Sequence, residues 1–217
     1  MGRDHESCES GADREKKKRI AAALGECRGE APIRFCSRVG IASNQLLSAM
    51  PTATPSAKIH QERWHEIVED PLLSELPYKV ETNHRGQIVL SPHKNRHARR
   101  QKRIEKQLDA LLPSGEAFQE WAIATAGGTK QADVIWASDE RLEEMEETGD
   151  PTTLAPEICV EVMSESNDWA EMEAKIDLYR EAGAEEVWVV EQDGRVRVFA
   201  AEEREHSTLA PDVPTSL

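Results

Sequence analysis

Cysteine is scarce in this chain and poorly spaced for chemistry. The four are Cys8, Cys27, Cys36 and Cys159. None forms a CxxC pair, and no histidine pair stands at zinc-finger spacing, which argues against a structural zinc site. Three of the four fall before residue 50, in a segment that does not read as folded, so no disulfide framework is expected. Long hydrophobic runs are also missing. No stretch approaches the ~20 apolar residues of a membrane span, and the N-terminus lacks the apolar core of a secretory signal. The expectation is a cytoplasmic protein with no membrane partner. Positive charge is thin after residue 129: from Lys130 onward there are 24 acidic residues against 7 Lys plus Arg. A net charge of −14 argues against indiscriminate binding to nucleic acid.

What is present is more specific. Between Glu81 and Ala110 the balance reverses, with 8 Lys plus Arg against 3 acids. One basic stripe on an acidic protein can still hold a phosphate backbone. The chain of 217 residues has room for one good core, or one domain and a tail. Residues 1–49 differ from the rest, with a charged run at Arg14–Arg19 and scattered Gly, Ser and Cys. The expected organisation is a disordered extension over 1–55, a folded domain over 56–203 and a flexible tail over 204–217. Met50 is a candidate true start.

From residue 61 the signals become regular. A short helix is predicted over 62–69. Strands are predicted at Tyr78–Thr82 and Gln87–Ser91, around a hairpin loop. Residues 94–112 read as a helix, with Ile104, Leu108 and Leu111 at helical spacing and Arg or Lys on the other faces. Strands follow at Phe118–Thr125 and Ala132–Ser138, then an acidic helix or loop, then a short strand at Glu157–Met163. Residues 168–182 form a helix with the stripe Trp169, Met172, Ile176 and Tyr179. Two closing strands, Glu185–Glu191 and Arg195–Ala200, flank an Asp-Gly turn. This order predicts an α/β domain, a mixed sheet with helices packed on it.

Three residues stand out chemically. Alternation along Glu157–Met163 turns Ile158, Val160 and Val162 one way and Glu161 the other. A carboxylate in so apolar a strand is costly to bury without a partner. Asp133 opens the apolar strand Val134-Ile135-Trp136 after a Gly-Gly turn. If the two strands are neighbours, both carboxylates can converge on one divalent cation. Lys175 borders the buried stripe of its helix and is the only lysine after Lys130. An ammonium there could hold water or offset phosphate charge.

The segments RGQIVLSPHKNRH, QADVIWAS, APEICVEVMSESN and KIDLYREAGAEEVWVVEQDGRVRVF carry a family likeness. Over residues 75–200 the chain resembles the Uma-type (Uma-two) family of restriction endonucleases, within the PD-(D/E)XK nuclease superfamily. The resemblance implies a restriction-endonuclease-like mixed β-sheet core of four to five strands flanked by helices. It implies that Asp133 fills the Asp of the first motif and Glu161 the acid of the second. The superfamily lysine usually stands two residues after that acid, where this chain has Met163. Related variants move it to the next helix, which would be Lys175. The proline before the first Asp is here Ala132, and the family's Ser-Pro-Ser is Ser164-Glu165-Ser166. His97 matches a histidine common near the start of the family's first long helix.

Each assignment has a plainer alternative. Asp133 could cap a strand at a turn, Glu161 could be an acid salt-bridged to Lys175, and Lys175 could pair with Glu171 on the helix surface. Glu157 is nearly as well explained as a solvated acid. For His97 a surface or DNA-backbone role is favoured over catalysis, and Trp136, Trp169 and Trp188 read as core. The sequence as a whole favours an Mg²⁺- or Mn²⁺-dependent endonuclease acting on DNA. Asp133, Glu161 and the Val162 carbonyl would bind the metal, and Lys175 would position water. Arg96, Arg99, Arg100, Arg103 and Lys106 would meet the phosphate backbone, and a homodimer would supply two sites. The main rival keeps the fold as a catalytically degenerate module that binds DNA or a protein partner. A small-molecule carboxylate hydrolase is disfavoured by the basic helix.

Overall fold

The computed structural model describes residues 55–74, 77–92, 94–165 and 167–216. The extension expected over residues 1–55 therefore lies, apart from Pro55, outside the described residues. Two helices lead in: α1 (Pro55–Val68), which begins earlier than expected with proline in its first turn, and α2 (Pro71–Ser74). Strands β1 (Tyr78–Thr82) and β2 (Ile88–Pro92) pair antiparallel as a separate two-stranded ribbon. Then come α3 (Asn95–Leu111), β3 (Gly115–Thr125), β4 (Gly128–Ser138), α4 (Asp139–Glu147), β5 (Ile158–Val162), α5 (Trp169–Glu181), β6 (Glu186–Val190), β7 (Val196–Phe199) and β8 (Glu203–Arg204).

The main sheet has six strands in the order β3-β4-β5-β6-β7-β8, one more than the upper expectation. All pairs are antiparallel except β5 with β6, where α5 makes the crossover that a parallel pair requires. The alternation read from the sequence is the one observed. Val134, Trp136, Ile158, Val160 and Val162 bury against Ile104 and Leu108 of α3. Ile135, Ala137 and Cys159 bury against Met172, Ile176 and Tyr179 of α5. Helix α5 starts cleanly because the Asp168 side chain accepts from Glu171 N at 2.8 Å. Each large apolar side chain it buries contributes about 2 kcal/mol, enough to fix the helix rotation on the sheet. Its buried face comprises Met172, Lys175, Ile176 and Tyr179, so a lysine is carried inward with the stripe. The third apolar cluster, Trp64, Ile67 and Leu73, packs with Val80, Ile88 and Ala122 and ties α1, α2 and the ribbon to the edge of the sheet.

Within residues 204–216, part of the segment expected as a flexible tail, specific contacts to the domain are present. The carboxylate of Glu186, 1% exposed, accepts from Trp188 Nε1 at 2.9 Å and Ser207 Oγ at 2.6 Å. Thr208 adds its backbone N and its Oγ1, both at 2.7 Å. Ala210 is buried, and Val196 N donates to Thr215 O at 2.9 Å. Polar composition concealed this, because the segment is held by satisfying a buried acid rather than by an apolar stripe. Among the described residues no helix is long and apolar enough to cross a membrane.

Candidate active site

The pairing of β4 with β5 aligns Val134 with Val160. Continuing that register by one residue sets Asp133 opposite Glu161. Both are buried, at 2% and 3% exposure, and both line one cleft. The same cleft is lined by Lys175 from α5, His97 from α3, and Lys79 and Glu81 from the ribbon.

Each carboxylate is held by specific donors. Asp133 Oδ2 accepts from Val162 N at 2.8 Å and lies 3.1 Å from His97 Nε2. Its Oδ1 accepts from Lys79 Nζ at 2.5 Å and from Gln101 Nε2 at 3.4 Å. Glu161 accepts from Tyr179 Oη at 2.6 Å and from Lys175 Nζ at 3.1 Å. Lys175 also donates to Glu81 at 2.9 Å, and Glu81 accepts from Gln131 N at 3.2 Å. In direct contact there are thus three buried carboxylates and two ammonium groups.

The charges follow from this packing. Burial works to raise the Asp133 carboxyl, but Lys79 and His97 outweigh it and hold the group well below the usual carboxylate range. Glu81 is likewise held down, with Lys175 and Lys79 overcoming its burial. Glu161 goes up, because burial dominates and the lysines offset only part of it. Burial would lower Lys175 and Lys79, but Glu161 and Glu81 raise the first, and Asp133 and Glu161 raise the second. Both therefore remain ammonium at neutral pH and serve as cations, not as bases. Tyr179 is pushed up by burial and by Glu161, so it stays a hydrogen-bond donor.

Several expectations change at this level. His97, placed by the sequence at a surface or on DNA, reaches Asp133. Lys175 does not pair with Glu171, which instead accepts from Asn167 Nδ2 at 3.0 Å. Glu157 is neither solvated nor directed at the cleft: it accepts from Ser138 N and Oγ and ties β5 to the start of α4. Lys130 donates to Thr82 O at 2.7 Å and is in direct contact with neither Glu161 nor Asp133. Lys79, Glu81 and Gln101 were missed. The Lys-x-Glu spacing of β1 puts Lys79 and Glu81 on one face of the strand, but nothing local says where the ribbon docks. Glu120, also on the cleft, lies between the Gln119–Val134 and Trp121–Ala132 pairs, where the ladder is interrupted, and adopts φ 55° inside β3. A left-handed non-glycine residue in mid-strand is a strained feature beside the carboxylates.

The basic residues divide. Arg96 and Arg100, with Lys94, His97, Ser164 and Gln192, line a second hollow adjoining the first. Arg100 is half-buried and donates to the carbonyls of Glu191 and Gln192, at 3.2 and 2.6 Å. Arg99, Arg103 and Lys106 are exposed on α3 and line neither hollow.

With the geometry in place, comparison with known proteins is decisive at the level of family. The Uma2 model, described as "Putative restriction endonuclease", matches residues 65–216. The chain belongs to this family. That span holds every residue of the cleft. No match was found among curated proteins. Among solved structures, the chain is similar to a "putative nuclease belonging to DUF820" from Anabaena variabilis ATCC 29413, with 17% identity and a TM-score of 0.53. The match covers 66% of this chain and 91% of that one, and at such identity it speaks for the fold of this Uma2-family protein alone.

Proposed function

We propose that this Uma2-family protein is a divalent-metal-dependent DNA endonuclease of the PD-(D/E)XK type, acting in the cytoplasm. One observation carries the reading: Asp133 and Glu161, from adjacent strands, open onto one cleft together with Lys175, where Met163 vacates the superfamily's lysine position. The donor set suits a hard cation such as Mg²⁺ or Mn²⁺, because it consists of oxygen ligands with excess negative charge. Asp133, Glu161 and the Val162 carbonyl would hold the ion. Bound there, it would polarise a phosphodiester and acidify a water molecule. Lys175, which donates to both Glu161 and Glu81, would hold them in place and position water. Tyr179 orients Glu161, and His97 and Gln101 orient Asp133. Arg96 and its exposed neighbours Arg99, Arg103 and Lys106 would take flanking phosphates, with Arg100 bracing the adjoining hollow. Cutting both strands calls for two such sites, which a homodimer would supply.

The rival, a catalytically degenerate module that binds DNA or a protein, also has an observation behind it. Among the described residues no group of three or more His, Cys, Asp or Glu is arranged to hold a metal ion. The experiment is incubation of supercoiled and linear DNA with the purified protein in Mg²⁺, Mn²⁺ or EDTA, beside Glu161→Gln. Cleavage that needs metal and Glu161 supports the nuclease. Metal and DNA binding without cleavage under every condition would establish the module.

A further inference from the structure

Lys79 reaches the cleft from the ribbon, not from the six-stranded sheet that carries Asp133 and Glu161. Its ammonium lies 2.5 Å from Asp133 Oδ1 and 3.7 Å from Glu81. Among the described residues it is the only Lys or Arg in direct contact with Asp133. Oδ1 already accepts from Lys79 and Gln101, so a metal ion taking that oxygen competes with both donors, and its charge repels the ammonium. The two lysines differ in what their departure would leave. Lys175 bridges Glu81 and Glu161 from the buried stripe of a helix, so removing it takes the close ammonium partner from two carboxylates at once. Lys79 makes one close bridge, and when it leaves Asp133 the aspartate keeps Val162 N, His97 and Gln101. Its side chain lines a cleft that also holds Lys94 and Asn167, so a phosphate entering there comes within reach of a flexible four-carbon stem.

We propose that Lys79 is an exchangeable counter-ion, which holds Asp133 in the metal-free protein and passes to a substrate phosphate when a divalent cation takes its place. The exchange presupposes the metal-dependent reading above. It makes two ligands help each other. The cation removes the partner of Lys79, and the phosphate supplies a new one, so each binds better when the other is present. By linkage the factor is the same in both directions.

Full-length protein is titrated with Ca²⁺ alone by calorimetry, and with a short DNA duplex with and without Ca²⁺ by fluorescence anisotropy. For the wild type, Ca²⁺ should tighten duplex binding about tenfold, and the duplex should tighten Ca²⁺ equally. Lys79→Met should bind Ca²⁺ about tenfold more tightly than wild type, and Ca²⁺ should tighten its duplex binding less than it does in wild type, by the direct contact of cation and phosphate alone. Lys79→Arg keeps the charge and grips Asp133 with a planar fork, so it should fold and bind Ca²⁺ more weakly than wild type. It decides the matter by itself if the Met variant does not fold. Unchanged Ca²⁺ affinity in either folded variant, or coupling as large in Lys79→Met as in wild type, overturns the exchange. A wild type that binds neither Ca²⁺ nor Mn²⁺ overturns the metal-dependent reading as well. A wild type that binds metal and cuts DNA, with Lys79 variants that bind Ca²⁺ as it does, overturns the exchange alone.

Discussion

Lys175 donates to Glu81 and Glu161 from inside the apolar face of α5. Without it, two buried carboxylates would face each other with only neutral donors and Lys79 nearby. Breaking one side of a buried pair costs about 3–5 kcal/mol, because the remaining charge stays desolvated. Lys175→Met is therefore expected to lose about that much stability, and the double variant with Glu161→Gln to regain part of it. Lys130→Ala removes one bond to a carbonyl and should cost about 1 kcal/mol. Urea unfolding of the four proteins measures this, and a larger loss for Lys130→Ala would make Lys130 the lysine on which the carboxylates depend. Glu120 tests strain in the same region. At φ 55° glycine is favoured, so Glu120→Gly should gain up to about 1 kcal/mol in melting experiments. A clear loss would show that the side chain stabilises more than its backbone conformation costs.

At the scale of elements, the site depends on how the ribbon meets β4. Gly128 has φ 116°, and a Cβ there would lie 2.2 Å from the carbonyl oxygen of Thr82. Thr129 N donates to Thr82 Oγ1 at 2.8 Å beside it, so the contact is tight on both sides. Gly128→Ala meets a positive φ and a backbone clash together, and should cost about 2–3 kcal/mol. Because Lys79 and Glu81 ride on the same ribbon, any activity should fall at temperatures where the variant is still folded. Circular dichroism melts with a parallel cleavage assay separate the two effects; full activity in a destabilised variant would free the site from the ribbon's position. The C-terminal segment makes a second case. Ending the chain at Glu205 leaves the Glu186 carboxylate without Ser207 and Thr208, and β7 without Thr215. A loss of about 2–4 kcal/mol is expected from unsatisfied buried polar groups and lost Ala210 packing. A truncated protein that melts as the full chain does would restore the view of this segment as a loose tail.

For the molecule as a whole, the cleft predicts how stability varies with pH. Asp133 and Glu81 are held below their ordinary values in the fold. Such groups contribute stability above their unfolded pKa, near 4, and that contribution is lost as pH falls through their folded values. Lys175 and Lys79 are held above theirs. Their contribution is complete below an unfolded pKa of about 10 and is lost as pH rises through the folded values. Glu161, which burial raises, acts in the opposite sense to the other acids: its cost to stability grows as pH rises from its unfolded pKa and is complete above its folded value. Stability should therefore decline below about pH 4 and again above about pH 10. Asp133→Asn should flatten the acid limb, since the group that titrates is gone. Thermal melts across the range check this, and an acid limb as steep in Asp133→Asn would place the responsible groups elsewhere.

The sequence by itself determined the elements and the two inner carboxylates. Alternation in Ile158–Val162, the helical stripe of α5, the Asp-Gly turn and the family motifs are all properties of neighbouring residues, and local geometry dictates them. For the same reason it could single out Glu161, an acid flanked by buried valines, and Lys175, which borders an apolar stripe. Only the tertiary structure decided the cations and orienting groups around them. Lys79 and Glu81 lie in a two-stranded ribbon whose place is fixed by Gly128, Thr129 and the apolar cluster around Trp64, not by anything within the ribbon. His97 and Gln101 meet Asp133 because α3 packs across the sheet, bringing together residues more than thirty positions apart. The fate of the tail was decided the same way, by a buried acid at Glu186 whose donors lie some twenty residues downstream. Such contacts depend on docking between elements, and docking is set by the packing of the whole core rather than by the period of any one segment.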